Sequence, residues 1–392
     1  MTAPTDTGSR RTGLWLLGAR GSVATTATVG LLALAGRLVE PVGCVTATPA
    51  FHDVPLPAYA DLVVGGHDLT DIPLAKKAEL LAEGGVFPAA LVTALADRLA
   101  GVDADLRRGY DPADHEAQGD AADRMAGDIA AFRDRHALAA VVVVDLTSTE
   151  PLPAPAPELT DPVALTAALA DPRRRPLPAS SVGALAAIRS GSAFVGFTPS
   201  AGLAVPVLRD WAVERGIAFA GQDGKTGQTL LRTVLAPMFT ARGMRVLSWA
   251  GTNILGGGDG ATLADPDAVR SKLVSKNRVL RDLVGQVPTP LHIDNVPDLG
   301  DVKTAWDHVH AQGFLGGRIT LQTTWSAPDS ALAAPLVLDL ARLLAQATAA
   351  GVRGVVPELG FFFKDPWGSD VHSFAEQTTR LVDWARGLGE GR

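Results

Sequence analysis

The sequence predicts an α/β fold, a parallel sheet followed by a half-buried second sheet, and three stretches carry that prediction. Residues 14–17 form a short apolar run that breaks at Gly18 and opens a small-residue helix over about 23–37. Residues 139–146 (AAVVVVDL) are apolar without alternation, the pattern of a parallel strand covered on both faces. Residues 291–324 alternate apolar and polar side chains instead, as a sheet with one covered face does.

Taken in order, a polar tail runs to about Gly13. The strand, glycine turn and helix that follow look like the opening of a dinucleotide-binding unit, in which free N–H groups at the helix start receive a pyrophosphate. The spacing Gly18-x-x-Gly21-x-x-Ala24 is incomplete, and it fits a tight turn in any parallel sheet equally well. A second strand is expected at 43–48, where Glu40 comes too early and Asp53 too late to distinguish NAD from NADP. Residues 88–136 read as two helices joined by an Asp-rich loop. The strand at 139–146 ends in Thr147, Ser148, Thr149 and Glu150, polar groups at a carboxyl end, where open α/β sheets bind ligands. After a Pro- and Arg-rich loop (151–157 and 173–178), further strands are expected at 193–197 and 217–220. A helix over 229–242 and a strand over 245–250 lead into NILGGGDG (253–260). Asp265 as N-cap, Pro266 at the first position and Asp267 in the first turn then signal another helix. A long apolar helix over 331–350 returns to the texture of the first half.

Composition narrows the function classes. A formal net charge of -7 with only 5% aromatic residues argues against nucleic acid as a partner. The single cysteine, Cys44, excludes an internal disulfide framework and points to a reducing, cytoplasmic compartment; it reads as an inert core thiol in an apolar strand. Arg10 and Arg11 ahead of the apolar residues 14–36 imitate a signal peptide, but Arg20, Gly18, Gly21 and several threonines interrupt the run. No other window reaches the ~18 apolar residues of a spanning helix. The eight histidines show no metal-ligand spacing.

Lysine usage is the sharpest chemical signal. Of 35 basic residues only seven are lysines, and five of these fall in the second half, at Lys225, Lys272, Lys276, Lys303 and Lys364. Arginine stays protonated, whereas a crowded amine can give up its proton, so retained lysines suggest proton transfer or a point-charge phosphate contact. Lys76 and Lys77, on an amphipathic stretch, read as ordinary surface lysines. Lys272 and Lys276 lie four apart, on one helix face. Lys364 follows Phe361, Phe362 and Phe363, so its stem emerges from an apolar wall. The Gly-Lys-Thr at 224–226 is not a P-loop, because Phe219 stands where the Walker pattern needs glycine; a loop with three glycines after a strand still suits a phosphate or cofactor contact.

Together GQDGKTGQT (221–229), NILGGGDG (253–260), RSKLVSK (270–276), GDVK (300–303), DSALAAP (329–335) and FKDP (363–366) resemble the successive motifs of the myo-inositol phosphate synthases, in the same order and at similar spacing. GGHD (65–68) and TSTE (147–150) fit the cofactor half of that family, and the likeness runs from about Gly18 to Pro366. The resemblance implies an α/β protein with an NAD-binding Rossmann domain built from the two ends of the chain (1–228 and 331–392). Between them lies an inserted α+β catalytic and oligomerisation domain (229–330). It implies oxidation of C5 of glucose 6-phosphate, enolisation, closure of C6 onto the C1 aldehyde and return of the hydride, giving 1D-myo-inositol 3-phosphate.

By the same resemblance Lys272, Lys303 and Lys364 form the proton-transfer and oxyanion group, with Asp301 and Asp329 orienting them. Lys276, Thr226 and Asn253 belong to the substrate's phosphate end, and Asp223, Asp259 and Asn253 to the nicotinamide end. Gly18, Arg20, Gly21, Ser22, Val23, Asp68 and Thr147 belong to the cofactor site. The family forms tetramers, so a homo-oligomer is expected. Whether a divalent metal or a monovalent cation takes part stays open.

The chain departs from the family pattern where Arg20 replaces a cofactor-loop glycine, Gln222 an aspartate, and Gly257 and Gly258 asparagines. Those changes alter pocket shape and keep three further readings in play. They are a relative that turns fructose 6-phosphate into a five-membered cyclitol phosphate, a net NAD-dependent sugar-phosphate dehydrogenase, and an NAD-binding regulator.

Overall fold

A computed structural model describes residues 11–256 and 280–389. Its first sheet grows from β1 (Thr12–Leu17), flanked by β2 (Leu62–Asp68) and β4 (Ala140–Asp145). It extends through β3 (Leu106–Arg108) on one side and through β5 (Ala193–Gly196), β6 (Ala218–Gly221) and β11 (Gly354–Val355) on the other. All seven strands run parallel. Parallel strands need crossovers that cover both faces, which is why the central strands are apolar without a break. Side chains alternate between two cores. Leu14, Leu16, Val142 and Val144 join one cluster, whereas Trp15, Leu17, Val141 and Val143 join the other. The first cluster is covered by α1 (Ser22–Ala35), α2 (Leu74–Glu83) and α3 (Ala89–Asp103), the second by α4 (Gln118–Arg135), α5 (Pro162–Leu169), α6 (Ala179–Ser190) and α7 (Pro206–Glu214). The close approach of β1 and β2 requires glycine: a Cβ on Gly66 would stand 2.3 Å from the Leu16 carbonyl oxygen.

The strand expected at 43–48 does not form. Residues Val45–Ala47 and Pro49–Phe51 are single 3₁₀ turns, and the place beside β1 is taken by β2. The backbone N–H groups of Val45 and Thr46 are claimed by the Asp339 carboxylate, at 2.6 and 3.1 Å, so they are lost to any ladder. Cys44 is buried, as expected, but in this turn rather than in a strand; burial pushes its thiol up to about 11.

After α8 (Gln228–Ala241) the chain builds a second sheet of β7 (Arg245–Leu255), β8 (Leu291–Asn295), β9 (Val302–Gln312) and β10 (Arg318–Pro328), in the order β10-β9-β7-β8. Here β9 is antiparallel to both neighbours, and β10 alternates between half-buried and exposed residues, the one-sided burial that its sequence pattern predicts. Then α9 (Asp329–Ala349) returns across the first sheet, and α10 (Phe374–Gly387) follows β11. By length and composition α9 could cross a membrane, but most of its apolar window is buried and Val337, Leu340, Leu343 and Leu344 pack in the first core, so it is a core helix.

The second sheet is tied to α8 by a buried ion pair. Asp307 accepts from Arg232 Nη2 at 2.9 Å, Trp249 Nε1 at 2.7 Å and Gln228 Nε2 at 2.9 Å. Breaking such a pair from one side strands a charge in the interior and costs about 3–5 kcal/mol. Asp307→Leu is expected to lose that much in chemical denaturation, and Arg232→Met combined with it to lose less, because no orphaned guanidinium remains.

Candidate active site

The loops that follow β1, β4, β5 and β6 converge on a cavity of about 320 Å³. The strand order places β1 between β2 and β4, so this cavity lies at the switch point where parallel sheets receive ligands. Ser22 and Val23 open α1 and line the cavity. The N-cap is Gly21, and neither a capping side chain nor a first-turn acid neutralises that helix end. Backbone N–H groups and a positive dipole end there suit a pyrophosphate, so the residues present fit NAD. Gly18, with φ of 75°, turns the chain where a Cβ would stand 3.0 Å from the Leu146 oxygen. Arg20 and Asp68 shape the loop from behind: the Arg20 N–H donates to Asp68 at 2.7 Å, and its guanidinium pairs with Asp103 at 3.0 Å.

Two segments far apart in sequence form the opposite wall. The chain after β6 runs alongside residues 362–367, joined by backbone bonds from Gln222 to Asp365 (2.7 Å), Lys364 to Asp223 (2.7 Å), Lys225 to Phe362 (2.8 Å) and Trp367 to Gly221 (2.6 Å). This pairing sets Asp223 against Lys364, whose Nζ donates to the Asp223 carboxylate at 2.8 Å. The Lys364 stem follows three buried phenylalanines, as the sequence implies.

A third segment is the junction of β9, β10 and α9. Lys303 lies opposite Ala327 in the β9–β10 register, which brings its Nζ to 3.3 Å from Asp329 in the first turn of α9. Thr226 Oγ1 donates to the other Asp329 oxygen at 3.1 Å. Burial alone would raise the Asp329 carboxyl, but the charges of Lys303 and Lys364 and its hydrogen bonds hold it below the usual range. Asp301 orients no lysine by hydrogen bond; it accepts from the Ser330 N–H and hydroxyl, at 2.9 and 2.6 Å, and so caps α9. Burial raises its carboxyl, against those two bonds.

Thr147 and Thr198 line the cavity where β4 and β5 end. Both hydroxyls donate to Asp145, at 2.6 and 3.2 Å, and burial pushes that acid up to about 6. The sequence displays an acid ending a valine run, but its support of the cavity wall was not foreseen. Ser330 was also missed, although a polar pair before an apolar helical run is a start signal.

The structure thus gathers Gly21, Ser22, Val23, Thr147, Asp223, Thr226, Asp301, Lys303, Asp329 and Lys364 around one cavity. It does not bring Asn253 there: that side chain is fully buried, and its amide donates to Gln228 at 2.9 Å beneath the second sheet. Lys225 is also outside, with its Nζ bonded to Gln377 on α10 and lying near Phe361 and Phe374. Lys272, Lys276 and Asp259 lie outside the described residues. Among the described residues no group of three or more His, Cys, Asp or Glu is arranged to hold a metal ion.

A parallel sheet with a free helix start and lysine–aspartate pairs at its switch-point cavity defines the class as a dinucleotide-binding enzyme. The NAD-binding family described as myo-inositol-1-phosphate synthase matches residues 12–386. An inositol-3-phosphate synthase of Bacteroides thetaiotaomicron is 32% identical, covering 94% of this chain and 91% of its own. One from Dictyostelium discoideum is 29% identical over 78% of this chain and 63% of its own. The crystal structure of the Caenorhabditis elegans inositol-3-phosphate synthase superposes with a TM-score of 0.83 at 22% identity, covering 97% of this chain and 86% of that one. The chain belongs to the myo-inositol-1-phosphate synthase family. It is an enzyme of the inositol-3-phosphate synthase type, with NAD as cofactor.

The buried Lys225 gives a pH test of the scaffold behind the site. Burial lowers its ammonium to about 7, whereas the unfolded chain keeps the proton to about 10.4. Between those values the unfolded state binds more protons, so the contribution of Lys225 to stability rises with pH across that window. Lys225→Met is therefore expected to gain more in Tm over the parent at pH 6 than at pH 9; a gain that grows with pH would contradict the buried amine.

Proposed function

We propose that the enzyme converts glucose 6-phosphate into 1D-myo-inositol 3-phosphate, with NAD regenerated in each turnover. The observation that carries the reading is the pair of lysine–aspartate contacts, Lys364–Asp223 and Lys303–Asp329, facing the start of α1 across one cavity. NAD, held by Gly21, Ser22, Val23 and Thr147, supplies reversible hydride transfer at C5.

The residues do the proton work. Lys364, held by Asp223, takes the C5 hydroxyl proton as the alcohol becomes a ketone. A C6 proton then passes to the neutral amine of the lysine set, which the family motifs complete with Lys272, and the negative charge left on O5 is stabilised by the Lys303 and Lys364 ammonium groups. Closure forms the C6–C1 bond, and the charge moves to the former aldehyde oxygen, which collects a proton from the same lysine set. Atoms are conserved throughout, as isomerisation requires. Thr226 orients Asp329, and the family motifs put Lys272 with the proton-transfer group and Lys276 at the phosphate. Asp259 keeps the nicotinamide-end role of those motifs.

The two sheets support a division into a cofactor domain (1–228 with 331–392) and an inserted domain (229–330). We propose a cytoplasmic homo-oligomer. The half-exposed outer strand β10 and the hairpin tip Phe314–Leu315, both 90% exposed, support self-association.

Incubation with catalytic NAD and glucose 6-phosphate, then dephosphorylation and NMR, is expected to yield inositol without accumulation of NADH. A cyclopentane polyol formed from fructose 6-phosphate, or stoichiometric NADH, would replace this reading. Lys364→Ala is expected to abolish turnover while leaving NAD binding within about twofold, by calorimetry. Lys303→Met, which removes one oxyanion donor, is expected to lower kcat about 100-fold or more.

A further inference from the structure

We infer that Lys77 is a phosphate anchor of this cavity. The sequence alone does not separate Lys76 from Lys77, but the structure does. On α2 the buried residues are Leu74, Ala78 and Leu81; Lys76 points to solvent and pairs with Glu79 at 2.9 Å. Lys77 borders the buried stripe, is half-buried, and lines the same cavity as Ser22, Val23, Asp301 and Ser330.

The charge inventory gives it a role. The ionisable groups among the described lining residues are Lys77, Lys303 and Lys364 with Asp223, Asp301 and Asp329. Lys303 is matched by Asp329, and Lys364 by Asp223. Asp301 feels the charge of Lys77, but its oxygens accept from Ser330. The Lys77 ammonium has no hydrogen-bond or ion-pair partner among the described residues, in a chain that elsewhere uses arginine for plain charge. A half-buried point charge lining the same cavity as the uncapped start of α1 suits a phosphoryl oxygen. Both ligands of the cavity carry one, the terminal phosphate of the sugar and the pyrophosphate of the cofactor, so the inference rests on the function proposed above.

The test is Lys77→Met in the full chain, with Lys77→Arg as a charge-retaining control. Three quantities are measured: the Kd for NAD by calorimetry without substrate, the Kd for inorganic phosphate, and KM and kcat for glucose 6-phosphate. Losing a charge-assisted contact is expected to weaken binding about tenfold or more. A rise in the NAD Kd, with adenosine binding unchanged and the arginine variant near the parent, assigns Lys77 to the pyrophosphate. A rise in KM and in the phosphate Kd, with kcat within about threefold and the NAD Kd unchanged, assigns it to the sugar phosphate. NAD and phosphate constants both within twofold of the parent, in a variant that melts like the parent, would overturn the inference. If the parent forms no inositol phosphate, the functional reading falls, while the two binding titrations still decide Lys77.

Discussion

Everything at the site depends on two strips of backbone that run side by side although about 140 residues separate them. The segment after β6 and the segment at 362–367 exchange main-chain hydrogen bonds over the carboxyl end of the sheet. Side-chain chemistry follows from that pairing. Asp223, held at a φ of 65°, can meet Lys364 only because both backbones are fixed on either side of it. Behind the pairing, Lys225 and Gln377 join the loop to α10, so the wall of the cavity is anchored to a helix rather than to solvent.

The second fixed point is the start of α9. Asp301 caps it from the preceding loop, and the same turn presents Asp329 to Lys303 and Thr226. A single helix N-terminus therefore joins the two sheets and gathers Asp301, Lys303 and Asp329, three of the six charged groups among the described lining residues. Placing an acid in a first turn suits the helix dipole, so the local preference and the functional position agree. Where local preference and chemistry agree in this way, the helix start does not oppose what the site requires.

Much of this was legible in the sequence, for identifiable reasons. Buried parallel strands announce themselves by unbroken apolar runs, and 139–146 did so. The lysines of the second half stood out because arginine fills nearly every other basic position, and Lys303 and Lys364 both reach the cavity. The stretch at 43–48 misled because apolar composition does not reveal what its N–H groups bond to, and Asp339 lies almost 300 residues away. Asn253 sits in a glycine-rich motif that reads as a ligand loop. Its own position on β7 turns it toward α8, which only the sheet geometry reveals. Lys77 carried no local signal at all, because what separates it from Lys76 is the direction it faces.

The seating of β11 and α9 on the first sheet also governs how the chain can be made. The face that α1, α2 and α3 begin to cover is completed over β4, β5 and β6 by α9, and the outer edge of β6 is closed by β11, both drawn from beyond residue 328. During synthesis from the amino end, the first 228 residues emerge as a sheet with part of one face bare and one open edge. Only after most of the remaining chain has followed can either be covered. Closure over so long a stretch of sequence comes late in folding, and apolar surface stays open until the carboxyl end arrives.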